Sequence, residues 1–130
     1  MATRLTSHFT LEELTRSDVA ERNKLDNLSL GELYIDNLRY LAIMLEIIRS
    51  KYNMPIRISS GFRCLALNSL VGGSRYSNHL IGLAVDINQG SKVANAELFG
   101  FISSLRNVLP INELINENDF DWIHLSFYKL

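Results

Sequence analysis

The sequence is almost without cysteine. Cys64 stands alone, which rules out an intrachain disulfide and leaves the redox compartment undetermined. Histidine is nearly as scarce, with His8, His79 and His124. Proline occurs only at Pro55 and Pro110, and each falls where a helical pattern stops. Neither sign of charge dominates. The 13 Lys and Arg against 14 Asp and Glu give a formal net charge of -1, so nothing electrostatic favours nucleic acid or an anionic membrane. No apolar run approaches the length of a membrane span, and no basic leader with an apolar segment behind it opens the chain. Stable membrane insertion and ordinary export are therefore not expected. Internal repeats and low-complexity tracts are missing as well. What remains is 130 residues with 47% apolar and 21% charged side chains, enough for one domain with a real core.

That domain is expected to span residues 1–130, with 1–7 carrying little signal and free to fray. Thr10 reads as a helix cap, with Glu13 three residues on and Phe9 and Leu14 placed as a hydrophobic staple. The pattern predicts a helix to about Arg22. The same grammar recurs with Ser29 as cap and Glu32 at the third position. From there Leu33, Leu38, Leu41, Ala42, Leu45 and Ile48 predict one long helix to Tyr52, ended by Asn53 and Pro55. Ile56 to Ser59 alternates as a strand, with Ile56 and Ile58 inward and Arg57 and Ser59 outward. A short helix is expected at Leu65 to Leu70, a strand at Leu83 to Ile87, and a helix from Lys92 to Asn107. Further strands follow at Glu113 to Asn116 and Trp122 to Phe127. Helices first and short strands later predict an α+β fold, a small mainly antiparallel sheet with helices packed against it.

The chemistry sits in two short stretches. Ser77-Asn78-His79-Leu80-Ile81-Gly82-Leu83-Ala84-Val85-Asp86 carries a histidine and an aspartate, and Asp121-Trp122-Ile123-His124 adds a second histidine. Two imidazoles and a carboxylate are what a catalytic zinc ion takes from a protein, leaving a fourth position for water. Strand alternation sets Asp86 and His124 on the faces opposite their apolar neighbours. If the two strands are adjacent, both side chains enter one cleft, and His79 reaches the same place. Plainer roles fit the same residues: Asp86 closing a turn and His124 a satisfied histidine. Non-haem iron oxygenases also use two histidines and a carboxylate, but usually on an all-β barrel, against which the long helices argue. Cys64 is read as a small buried thiol, and His8 is given no role.

Together these stretches resemble the zinc peptidases of the D-Ala-D-Ala carboxypeptidase and L-alanyl-D-glutamate endolysin family, which share a fold with the hedgehog signalling domain. The family signature Ser-x-His-x-x-Gly-x-Ala-x-Asp is matched by Ser77, His79, Gly82, Ala84 and Asp86. Its upstream Ser-Gly-Tyr/Phe-Arg and following Asn are matched by Ser60-Gly61-Phe62-Arg63 and Asn68. Its aromatic-rich last strand is matched by Trp122-Ile123-His124-Leu125-Ser126. The opening Phe9 to Leu14 with Arg16-Ser17 is similar to the N-terminal arm of compact phage and prophage members. The three motifs stand in family order and cover nearly all the chain.

The resemblance implies a hedgehog/D-Ala-D-Ala peptidase-like fold and one Zn2+ per chain, held by His79, Asp86 and His124. It implies hydrolysis of a peptidoglycan stem peptide by water activated at the metal. Asp121, three residues before the last ligand, takes the place of the general base; Glu117 and Asp119 are the alternatives. In a regular strand Asp121 and His124 point to opposite faces, so that role requires a bulge or loop at Phe120-Asp121. Arg63 is expected to hold a substrate carboxylate or stabilise an oxyanion, and Ser77 to hydrogen-bond a ligand or substrate. Arg75 and Tyr76 are further cleft candidates, and Trp122 is expected beside the metal. The oligomeric state is left open with a monomer favoured, and the protein is expected to stay cytoplasmic until released to the cell wall. A silent hedgehog-like relative that keeps its metal and binds wall peptide or a protein partner is the second reading.

Overall fold

The computed structural model describes residues 2–129. Among them, six α-helices and a four-stranded antiparallel sheet form the expected α+β fold. Met1, part of the stretch expected to fray, lies outside the described residues. The stretch after it is held: Leu11 N–H donates to Thr3 O at 2.8 Å, Arg4 bridges Thr10, and Leu5 is buried.

The first helical pattern divides in two. Helix α1 (Leu11–Thr15) is capped by Thr10, whose hydroxyl accepts from Glu13 N–H, as the spacing predicts. Phe9 and Leu14 are both buried. The expected run to Arg22 is broken at Arg16, where the backbone turns extended (φ -65, ψ 135). Ser17 then caps α2 (Asp18–Arg22) by accepting from Ala20 N–H at 3.1 Å. A second cap signal inside one periodic stretch thus started a second helix. The long helix is corrected in the same way. Asp26, not Ser29, is the cap, and it starts a separate α3 (Asn27–Glu32). Helix α4 (Ile35–Tyr52) begins only after Leu33, which is 76% exposed instead of opening the buried stripe. Its remaining stripe of Leu38, Leu41, Ala42, Leu45 and Ile48 is fully buried. Asn53 ends it in a left-handed conformation (φ 59).

Strands β1 (Ile58–Ser60), β2 (Ala84–Ile87), β3 (Ile111–Glu117) and β4 (Trp122–Phe127) lie in the order β1-β2-β4-β3, every pair antiparallel. Helix α5 (Leu65–Leu70) and a 3-10 turn (Asn78–Ile81) lie between β1 and β2, and α6 (Lys92–Ser103) lies between β2 and β3. Val85, Ile87, Ile123, Leu125 and Phe127 share one sheet face and join the core with α4 and α6. Asp86 pairs with His124, so both occupy the other face. Two bulges adjust who joins them. Ile58 pairs with Ile87 but Ser60 with Asp86, so Ser59 is an extra residue that turns Ser60 to the polar face. Strict alternation had given that orientation to Ser59. In β3, Ile111 pairs with Phe127 but Glu113 with Ser126, so Asn112 is the second extra residue.

The loop after β1 crosses tightly over α1. Phe62 N–H donates to Leu14 O at 2.7 Å, and a side chain at Gly61 would collide with that same carbonyl. Asn27, fully buried, locks the crossing. Its amide donates to Thr15 O at 2.7 Å and Phe62 O at 2.8 Å, and its oxygen accepts from Cys64 N–H at 2.8 Å. Removing that side chain strands three buried backbone groups. Asn27→Ala should therefore lower the unfolding free energy by about 2–4 kcal/mol, read from urea denaturation. A loss of a few tenths would show that the crossing is held by packing alone.

Candidate metal centre

The 3-10 turn delivers His79. Ser77 caps it by accepting from His79 N–H at 3.1 Å, and Gly82 closes it at φ 77, a conformation suited to glycine. A Cβ at Gly82 would also stand 3.1 Å from Leu38 of the core helix. The ring of His79 is buried, with Nδ1 2.7 Å from Gly61 O. A carbonyl only accepts, so Nδ1 carries a proton, and Nε2 faces Asp86 Oδ1, 3.2 Å away. His124 Nδ1 faces the same Oδ1 at 3.1 Å, and its Nε2 lies 3.0 Å from Glu113 Oε1. The second Asp86 oxygen accepts from Arg63 Nη2 at 3.0 Å.

This arrangement fits a divalent cation. One donor atom from each of His79, Asp86 and His124 lies within 4.8 Å of the others. Tetrahedral zinc, with bonds of about 2.0–2.1 Å, separates adjacent donors by about 3.3 Å, close to the 3.1 and 3.2 Å found here. Each donor's other polar atom already has a partner: Gly61 O for His79, Arg63 for Asp86 and Glu113 for His124. Such outer contacts fix ring orientation and free one atom of each group to coordinate. Without a cation, sharing Asp86 Oδ1 asks both rings for an additional proton; a single dication supplies the same charge.

The electrostatics agree. Burial works against the Asp86 charge, but hydrogen bonds from His124 and His79 and the Arg63 charge outweigh it and hold the carboxyl well below its usual range. Burial likewise opposes the Glu113 charge, yet bonds from Ser126, His124 and Asn78 pull it down to about 2. Burial opposes a charged His124 too, and the Asp86 and Glu113 carboxylates overcome it and raise its pKa.

The cluster opens into a cavity of about 560 Å³, bordered by Arg63, Ser77, Glu117, Trp122, Tyr76 and Ile115 among others. Arg63 is anchored in its wall: Nε donates to Ser60 Oγ at 3.2 Å and Nη1 to Asn68 Oδ1 at 3.1 Å. Asn68 in turn donates to Ser74 O at 2.9 Å, tying the 71–77 loop to the arginine. Asp121 is not brought to this cavity. It pairs with Lys92 Nζ at 2.8 Å and with Asn118, and it borders a separate depression beside α6. The loop required at Phe120-Asp121 exists, with Asn118, Asp119 and Phe120 all at positive φ, but it turns Asp121 towards α6. Lys92 also grips the carbonyls of Asn118 and Asp119, at 3.4 and 2.8 Å. Glu113 is the site residue that sequence reasoning missed. Its strand was anticipated, but meeting His124 depends on the register of β3 against β4, which alternation within one strand does not fix.

Two outcomes follow for metal binding. Glu113→Ala should weaken zinc binding by about 10–100-fold, because His124 loses the partner of its far nitrogen; titration against a competing chelator reads this. Zinc must also displace the proton that the carboxylates hold on His124. Affinity should therefore fall by about tenfold per pH unit as pH drops below the raised His124 pKa, and level off above it.

A search of characterised proteins finds no match to the chain. The sequence model described as peptidase M15 matches residues 7–126. That span includes His79, Asp86, His124, Arg63 and all of the sheet but its last residue, Phe127, and the chain belongs to the peptidase M15 family.

Proposed function

We propose that the protein is a zinc-dependent peptidase that cuts peptidoglycan stem peptides, at a D-Ala-D-Ala or an L-Ala-D-Glu bond. Family membership implies peptidase activity. The observation that carries the reading is the convergence of His79, Asp86 and His124 at the floor of an open cavity, each with its other polar atom engaged. Zinc held by these three residues would supply Lewis acidity, activating water near neutral pH and polarising the scissile carbonyl.

The side chains around it supply the rest. Glu117 shares the strand face of His124, opposite Trp122, and borders the cavity. In this reading it takes a proton from the attacking water and passes it to the leaving amine. The cavity excludes the other two acids considered for this work, Asp119 and Asp121, from its lining. Arg63, after its three bonds, keeps N–H groups for a substrate carboxylate or a developing oxyanion. The Ser77 hydroxyl accepts from His79 N–H and keeps its own proton to donate to a bound peptide. Tyr76 and Trp122 offer flat faces at the rim. In this reading the protein is a compact lytic enzyme of phage or prophage type, monomeric, and reaches the wall after release.

Metal analysis should find one zinc per chain, and amino-group release from purified peptidoglycan should stop with EDTA and return with zinc. Glu117→Gln should lower kcat by about 10²–10⁴-fold with zinc retained, whereas Asp121→Asn, at a surface ion pair, should change it by less than about threefold. Zinc-loaded protein that releases no amino groups from any stem peptide would instead be a binding domain of the hedgehog-like kind.

A further inference from the structure

A second cavity, of about 470 Å³, lies between the N-terminal arm, the end of α4 and the approach to β1. It shares no lining residue with the cavity around His79 and His124. Three arginines line it from separate parts of the fold: Arg16 after α1, Arg49 in the last turn of α4, and Arg57 just before β1. Among the described residues none of the three is within ion-pairing distance of a carboxylate. In a chain of net charge -1 this is a local excess of positive charge, three arginines against Glu13 in the lining.

The nearby acids offset it only in part. Glu46 is already taken by His8 N–H at 2.6 Å, His8 Nδ1 at 2.9 Å and Thr6 Oγ1 at 3.1 Å. Glu13 is the one acid in the lining, set against three arginines; burial disfavours its charge and the Arg16 charge favours it. Arg57 is partly fixed: Nη1 reaches Gln89 O at 3.5 Å and lies against Gly90, where a Cβ would stand 2.8 Å from it.

We propose that this cavity is an anion site for a phosphate-bearing ligand. Guanidinium groups present paired N–H donors that match phosphate oxygens. Three of them from separate elements around one cavity suit a tetrahedral anion with several acceptor oxygens better than a planar carboxylate, which one or two forks satisfy. The volume admits a phosphate with a small attached polyol and is too polar for an apolar ligand. The proposal is independent of the peptidase reading, since it uses none of that site's residues.

The test is NMR of the arginine Nε–H groups in the full, zinc-loaded chain, titrated with glycerol phosphate, inorganic phosphate and succinate. Both phosphates should shift the Arg16, Arg49 and Arg57 signals with one shared Kd each, and succinate should bind at least about tenfold more weakly. Arg49→Gln with Arg57→Gln should weaken glycerol phosphate binding by at least about tenfold, with zinc content and Tm retained. Arg57→Gln alone, at an exposed side chain, reads the same loss in direction if the double variant is unstable. Succinate binding as tight as phosphate would overturn the ligand class. No shift at these arginines, shifts confined to the surroundings of His79 and His124, or unaltered binding in the variants would overturn the site.

Discussion

The carboxylate of Asp86 is the junction on which the rest of the structure depends. One of its oxygens faces both imidazoles and the other is held by Arg63. A mostly buried anion is tolerated only when its neighbours compensate the lost hydration. Each compensating group here arrives from a different part of the chain: His79 from the 3-10 turn, His124 from β4, Arg63 from the loop after β1. The apparatus behind that loop has the same purpose. Asn27 and the close passage over Leu14 set the backbone that carries Arg63, and the same loop lends Gly61 O to His79.

The sheet separates stability from reactivity. Its apolar face meets α4 and α6, and the side chains there are aliphatic and aromatic. The opposite face carries the ionisable residues, with Asp86 on β2, His124 on β4, and Glu113 and Glu117 on β3. Changes to the cavity border can therefore alter what is bound with little disturbance of the core. The arginine-lined cavity lies elsewhere, at the other flank of β1, and meets this system at Ser59, whose hydroxyl donates to Asp86 O at 3.2 Å.

Much of this was legible in the sequence wherever one periodicity ruled. The buried stripe of α4, the bounds of α5 and β4, and the shared facing of Asp86 and His124 all follow from spacing. Reading failed where a local device interrupted the period. Ser17 and Asp26 each opened a new helix inside or ahead of a stretch that reads as continuous. The register of β3 against β4 decides that Glu113 meets His124, and a lysine on α6 decides where Asp121 points. Asn27 was invisible for another reason. Its partners are backbone groups, two of them 35 and 37 residues away, and no side-chain pattern records them.

The Asn112 bulge also bears on how separate molecules meet. Strand β3 is an outer strand of the sheet, and an outer strand offers unpaired peptide groups to any neighbour. The bulge interrupts the regular ladder near one end, and Glu113 and Glu117 place negative charge along the same strand. An approaching copy would meet a bent rim bearing like charge, which discourages aggregation through strand-on-strand growth.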